Sequence, residues 1–396
     1  MAAVQCNRLV RIVLGLATAT AMVAGCAGTN GTKETGAPAS TGPSADHKPA
    51  LFYAKEGSLY VSDPAGTPGR KLTDGPADSE PAPSPDGRRL AFVRKVSEPG
   101  PPTPCTNNGG ELWMLDVSAD SAPASAPRRL VDPAALAALY GPNDPFTCTN
   151  LKSPRWSPTG DRIAFLNSAG RGGNLLTAAA ATGAVQAPSG PLYADDHKYA
   201  WAPDGKHIAW VRARYDFSPV DIGVLNVVEG TSQPVATGTN AVSVAYADDG
   251  RSVLFANGDV TGSDASRYGF TLPVGGIYSV EPPAAPRPVL TGTDYNGVAA
   301  LRGGAIGFTM GKSIQVANPG GAPRTIADAQ GPSPAWTADT VAFIGTAEER
   351  PLLIATDRSP ANDNQDNDPQ QVDVGVDAFA WSNLAGSKNA PGQTGG

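Results

Sequence analysis

Short apolar runs alternate along this chain with clusters of Gly, Pro, Asp and Asn. Tyr199–Val211 (YAWAPDGKHIAWV) shows the pattern most clearly: an apolar run, a tight turn, then a second apolar run. Pro203 is pre-set for the second position of a type I turn, and Gly205 suits the fourth. The flanking runs predict a β-hairpin with two largely buried arms.

The hairpin recurs as Pro81–Val93 (PAPSPDGRRLAFV), Pro154–Leu166 (PRWSPTGDRIAFL), Val244–Phe255 (VAYADDGRSVLF) and Pro334–Ile344 (PAWTADTVAFI). Trp156, Trp201 and Tyr246 stand 45 residues apart, as do Trp336 and Trp381. Tyr246 and Trp336 are separated by twice that period, and a weaker copy, Val298–Phe308, falls between them. A period in the forties with four strands per unit predicts a propeller rather than a helical solenoid.

Complete units fall at about 78–131, 152–187, 197–237, 241–290, 297–326 and 332–374. Ala50–Asp74 supplies the second, third and fourth strands of a further unit (ALFYAK, SLYVSD, RKLTD), and Asp377–Ser382 (DAFAWS) supplies a lone first strand. Pairing the two would close a ring and remove two open sheet edges. The predicted fold is therefore all-β: a seven-bladed β-propeller with the N-terminal strands closed by the C-terminal strand. A six-bladed ring is the alternative, because the 297–326 unit is short. Asp132-Pro133 followed by AALAALY predicts a short capped helix.

The copies P-x-W-S-P-x-G-x-x-I-A-F, at Pro154–Phe165, and L-Y-V-x-D, at Leu59–Asp63, resemble the repeats of TolB-like, WD-type β-propellers. The likeness covers residues 50–383 and implies the fold, not the function, because propellers host binding, scaffolding and catalysis alike. No separate N-terminal α/β domain is legible, so TolB's translocation role is not implied.

Composition narrows the compartment. Of 396 residues, 46 are Gly and 38 Pro, dispersed between strands as in a turn-rich β domain. The net charge of −7, with no basic stripe, argues against a nucleic-acid partner. Arg8 and Arg11 precede the apolar run Ile12–Ala24, which is too short for a comfortable membrane span. The run ends in Val23-Ala24-Gly25-Cys26, which resembles a bacterial lipobox. That resemblance implies a signal peptide over 1–25, lipidation of Cys26 and a cell-membrane location facing the extracytoplasmic side. Residues 26–49, without large apolar side chains after Cys26, read as a flexible tether, and 384–396 as a disordered tail.

Cys6 belongs to the signal segment, which leaves Cys105 and Cys148 as an even pair in an exported chain. In a propeller, the insertions that carry them (96–110 and 132–151) emerge on one face, so a disulfide is expected. It would close a loop of about 40 residues, worth roughly 3–4 kcal/mol in the chain-entropy account.

The same face carries the candidate binding residues. Asp195, Asp196 and His197 stand at the start of an innermost strand, with Lys198 beside them. Arg214, Tyr215 and Phe217 lie in one loop, and Arg267, Tyr268 and Phe270 in another; Tyr295 begins a further innermost strand. Loops on a rigid ring are the usual seat of binding.

Catalytic motifs are missing: there is no G-x-S-x-G, Walker or G-x-G-x-x-G sequence, and no serine is nominated for a triad. The expectation is a non-enzymatic, monomeric module, without cofactor or bound metal, that binds a protein of the cell envelope. The alternatives are a sensor for a small ligand or glycan, or a lactonase- or lyase-type propeller enzyme. The enzyme would hold a channel cation such as Ca²⁺ between at least three of Asp78, Glu80, Asp195, Asp196, His197, Asp294 and Asp377.

Overall fold

The computed structural model describes residues 49–382, except 76, 96–108, 141–143, 145, 147–148, 169–171, 215, 217, 261–266, 273–274, 331–333, 338–339 and 357–368. The backbone of Asp196 is described, but its side chain is not. The signal segment, Cys26, the tether, Cys105, Cys148 and the tail lie outside the described residues.

Nearly all regular structure is antiparallel sheet in four-stranded units. The first unit comprises β1 (Leu51–Lys55), β2 (Ser58–Ser62) and β3 (Arg70–Lys71). The second comprises β4 (Asp78–Pro83), β5 (Arg89–Lys95), β6 (Gly110–Asp116) and β7 (Arg128–Arg129). Helix α1 (Pro133–Ala137) follows, and the Asp132 carboxylate accepts the Ala134 N–H at its N-terminus, as the sequence predicts. The third unit is β8 (Leu151–Trp156), β9 (Arg162–Ser168), β10 (Gly173–Ala179) and β11 (Val185–Gln186). The fourth is β12 (Tyr193–Trp201), β13 (His207–Arg212), β14 (Val220–Asn226) and β15 (Thr231–Thr239). The fifth is β16 (Ala241–Tyr246), β17 (Val253–Asn257), β18 (Gly276–Val280) and β19 (Arg287–Thr291). The sixth is β20 (Tyr295–Ala300), β21 (Ile306–Met310), β22 (Ser313–Ala317) and β23 (Arg324–Asp328). The seventh is β24 (Ala335–Trp336), β25 (Thr340–Ile344), β26 (Leu352–Thr356) and β27 (Gln370–Asp373). The last strand, β28 (Val376–Trp381), pairs with β1, with Leu51 opposite Trp381 and Phe52 opposite Ala380.

Turn chemistry joins the first two strands of several units. Gly87, Gly160, Gly205 and Gly250 occupy equivalent turn positions with φ between 65° and 72°, where a side chain would be strained. Each donates its N–H to the carbonyl three residues back: Ser84, Ser157, Ala202 and Ala247. The Asp204 carboxylate accepts the N–H groups of Lys206 and His207, which closes the turn seen in the sequence.

The second strands are buried on both faces, as in Val253–Asn257, while β3 and β7 are exposed. The reason is stacking between units. Seven apolar clusters among the described residues each join one unit to the next. Phe52 and Leu59 meet Leu90 and Phe92, and Leu112 and Met114 meet Trp156 and Phe165. Leu166 and Leu175 meet Ile208 and Leu225, while Val211 and Ile222 meet Tyr246 and Phe255. Leu254 and Ile277 meet Phe308, and Ile314 and Val316 meet Phe343. The seventh cluster sets Ile344 and Leu352 against Leu51 and Tyr53 of the first unit. Buried continuous strands of this kind carry no alternation, because both faces are core.

The recurring tryptophans tie neighbouring units together. Trp156 donates its indole N–H to the Ala82 carbonyl at 2.7 Å, Trp201 to Arg155 at 3.0 Å and Trp381 to Ala335 at 2.9 Å. One departure from separate units concerns β12. Its first residues, Tyr193 and Ala194, pair with Asn174 and Gly173 of β10, which fuses the third and fourth units into one sheet. The innermost strand therefore starts earlier than the sequence pattern indicates, and Asp195–Lys198 lie within it.

Candidate functional site

Three innermost strands carry bulges at neighbouring places. Register shifts between Ser79 and Ala82 in β4, Lys152 and Arg155 in β8, and Ala194 and Tyr199 in β12. Each bulge contains a non-glycine residue in the left-handed region: Glu80 at φ 51°, Ser153 at φ 56° and His197 at φ 58°. Such a conformation costs of order 1–2 kcal/mol per residue and persists only where the surroundings hold it.

The surroundings here do hold it. The Ser153 N–H donates to Glu80 Oε2, and the Tyr199 hydroxyl donates to the Ser153 carbonyl. Ser153 Oγ lies 3.1 Å from His197 Nδ1 and 3.5 Å from Nε2. Arg155 donates from Nη2 to the His197 carbonyl at 2.9 Å, and its guanidinium carbon stands 5.3 Å from the Tyr199 ring centre. Ser153 is buried, while His197 and Arg155 are exposed. An acid, a serine, a histidine and an arginine from three successive units thus form one connected group.

Beside this group stand several residues nominated from sequence. Asp195 pairs with Lys198 at 2.7 Å. Arg214 is half-buried; loss of solvent lowers its guanidinium pKa, and the charges of Asp195 and Asp216 only partly offset this. Its guanidinium carbon lies 6.0 Å from the Phe270 ring centre, within cation–π range. Arg214 and Phe270 are therefore brought together from two separate segments, and the charge of Asp195 acts on Arg214 from a third. Arg267 lies 5.2 Å over the ring of its neighbour Tyr268. Tyr215 and Phe217 lie outside the described residues.

Other candidates serve the scaffold. Tyr295 is 4% exposed and packs on Phe308 with ring centres 5.5 Å apart, so it is core rather than binding surface. Asp78 is buried in a bidentate pair with Arg94, at 2.6 and 2.8 Å, and Arg94 also stacks on Trp113 at 4.6 Å. The Asp78 hydrogen bonds raise the Arg94 pKa. Asp377 is exposed and 3.9 Å from Arg350. Among the described residues no three His, Cys, Asp or Glu side chains converge on a common point that would hold a metal.

Ser153, Arg155 and Tyr199 escaped the sequence reading as site residues. One signal was available. Glu80 and Ser153 each precede a proline, Pro81 and Pro154, inside a strand pattern, and an internal proline there marks a bulge.

No family model matches the chain, and no curated protein matches it. Among solved structures, TolB from Acinetobacter baumannii is similar at 13% identity over 85% of this chain and 82% of that chain, with a TM-score of 0.47. The tricorn protease is similar at 11% identity and a TM-score of 0.57, over 85% of this chain but only 34% of the protease. The β-propeller domain of the Trilobed protease from Pyrococcus furiosus matches at 14% identity over 75% of this chain and 83% of that chain, with a TM-score of 0.48. The likeness is one of fold.

Proposed function

We propose that this chain is a seven-bladed β-propeller, closed between β28 and β1, that works as a binding module for a protein of the cell envelope. The ring reading is supported by the seven inter-unit clusters, the last of which returns to the first unit. In this reading the chain is exported, held at the extracytoplasmic membrane face through lipidated Cys26, and braced by a Cys105–Cys148 bridge. The binding surface is the face that carries Asp195, Arg214 and Phe270.

The carrying observation is Arg214. It is a partly desolvated cation backed by an aromatic ring. Among the described residues no carboxylate stands within ion-pair distance of it. A partner that brings a carboxylate next to an apolar group would restore the lost solvation and cover Phe270. The test is site-specific photo-crosslinking from exposed Arg267 in the full, membrane-attached chain. One partner should be captured by the native protein and lost in an Arg214→Ala/Phe270→Ala variant. Identical capture by both proteins would refute this face. Separately, Cys26→Ala should release the protein from membranes, and unchanged fractionation would sink the anchor.

A further inference from the structure

Arg214 and Phe270 alone are too small a surface to hold a protein, because a specific interface buries about 800 Å² on each partner. A second surface stands at the same end of the sheets. Helix α1 and the residues after it, 133–143, include no charged side chain. Leu136 is buried, whereas Ala134, Ala135, Ala137 and Ala138 are exposed, and Leu139 follows at 39% exposure. A surface helix ordinarily turns polar residues outward, and one that is apolar all round is covered by something. Among the described residues only two other large apolar side chains are exposed, Val228 and Val289. Val228 lies beyond the far end of β14, and Val289 lies within the outermost strand β19, so neither stands at the end that carries Arg214.

Built contacts join the two surfaces. The Tyr140 ring centre lies 5.7 Å from that of Phe146, which stands 5.1 Å from Tyr193, edge to face. The Phe146 carbonyl accepts from Nδ2 of buried Asn167 at 2.7 Å, which fixes this segment to β9. The Tyr193 carbonyl accepts the Ala213 N–H at 2.8 Å, so Arg214 follows directly on backbone bonded to Tyr193. Beyond Arg214, Thr271 anchors the backbone next to Phe270. Its N–H donates to the Gly238 carbonyl at 2.8 Å, and its hydroxyl donates to the Thr237 carbonyl at 2.7 Å. One track thus runs from α1 to Phe270 on fixed backbone, and a partner need not order it on binding. We propose that a single partner protein occupies this whole track, with a carboxylate on Arg214 and an apolar surface on α1 and Leu139. This rests on the binding role at Arg214 and names the remainder of the same interface. A lipid surface fits less well. Interfacial helices carry Lys and Arg, whereas α1 is flanked by Asp132 and Asp144, which anionic lipid repels.

The test uses the full, membrane-attached chain with a benzophenone amino acid at position 139 or, in a second protein, at position 267. Irradiation should capture the same protein at both positions, identified by peptide mass spectrometry. Arg214→Ala/Phe270→Ala should cut the yield at position 139 by at least about tenfold, and Ala135→Glu should cut the yield at position 267 as much. Ala135→Glu keeps the fold, because an exposed glutamate suits the first turn of a helix; an unchanged melting temperature checks this. Capture at position 267 alone would overturn the extended interface and leave the Arg214 reading standing. Different proteins at the two positions, yields that ignore the variants, or lipid adducts alone at position 139 would overturn it as well. Capture at position 139 alone, or at neither, would refute the Arg214 reading together with its extension.

Discussion

Ser382 and Ala50, 332 residues apart, are joined by two hydrogen bonds. The Ser382 N–H donates to the Ala50 carbonyl at 3.0 Å, and the Ala50 N–H donates to Ser382 Oγ at 3.0 Å. Next to them Trp381, 2% exposed, packs with Leu51, Ile344 and Leu352 and donates to the Ala335 carbonyl. Trp381→Ala should therefore destabilise the domain by about 3–5 kcal/mol, as large core truncations do. Deleting 377–396 should cost more, because it also strips a strand from β1. Denaturant melts of the three chains measure this, and coincident curves would contradict a stabilising role for the seam.

The indole hydrogen bonds can be separated from packing. Trp156→Phe keeps most of the apolar contact but takes the indole donor from the buried Ala82 carbonyl, which stays in the β4–β5 ladder opposite Ala91. A loss of about 0.5–1.5 kcal/mol is expected, the net worth of one hydrogen bond. Trp201 is less buried than Trp156, so water can replace its indole and Trp201→Phe should cost less. Equal losses at both positions would show that burial does not set the cost.

Asp373 links the seventh unit to the first. Its carboxylate accepts from Lys55 Nζ at 2.7 Å and from the Tyr53 hydroxyl at 2.8 Å. Burial works to raise its pKa, but hydrogen bonds from Lys55, the Val374 N–H and Tyr53 outweigh it, so the folded pKa is lowered. A lowered folded pKa gives stability that is present above the unfolded value, about 4, and lost as pH falls through the folded value. Between pH about 5 and the folded pKa, wild type should lose more stability than Asp373→Asn. Midpoints of unfolding against pH test this, and parallel acid profiles would refute it.

Asp78 and Arg94 form a pair whose carboxylate side chain is 0% exposed. Asp78→Ala would leave the guanidinium partly buried and unpaired, at a cost of about 3–5 kcal/mol. Asp78→Leu/Arg94→Met removes both charges and should recover much of that loss. A double variant no more stable than Asp78→Ala would show that packing, not charge, dominates there.

The units were legible because the same local chemistry was written several times. Pro203-Asp204-Gly205 and its copies set the turns, and the two-sided apolar runs announced strands sandwiched between neighbours. The helix cap at Asp132 was legible for the same reason: it is satisfied within its own segment. Tyr295 was misread as a surface residue because its position at the start of an innermost strand matched that of Asp195. Only packing against Phe308 distinguishes the two.

The Ser153 group was hidden for a stronger reason. Glu80, Ser153 and His197 are 73 and 44 residues apart along the chain, so no local motif contains them. Repetition alone determined the strand units, their order and the pairing of the two chain ends, because turns and apolar periodicity act over a few residues. The tertiary structure decided which polar residues meet, because a bulge on one strand and a hydrogen bond to the next unit exist only after the units have stacked.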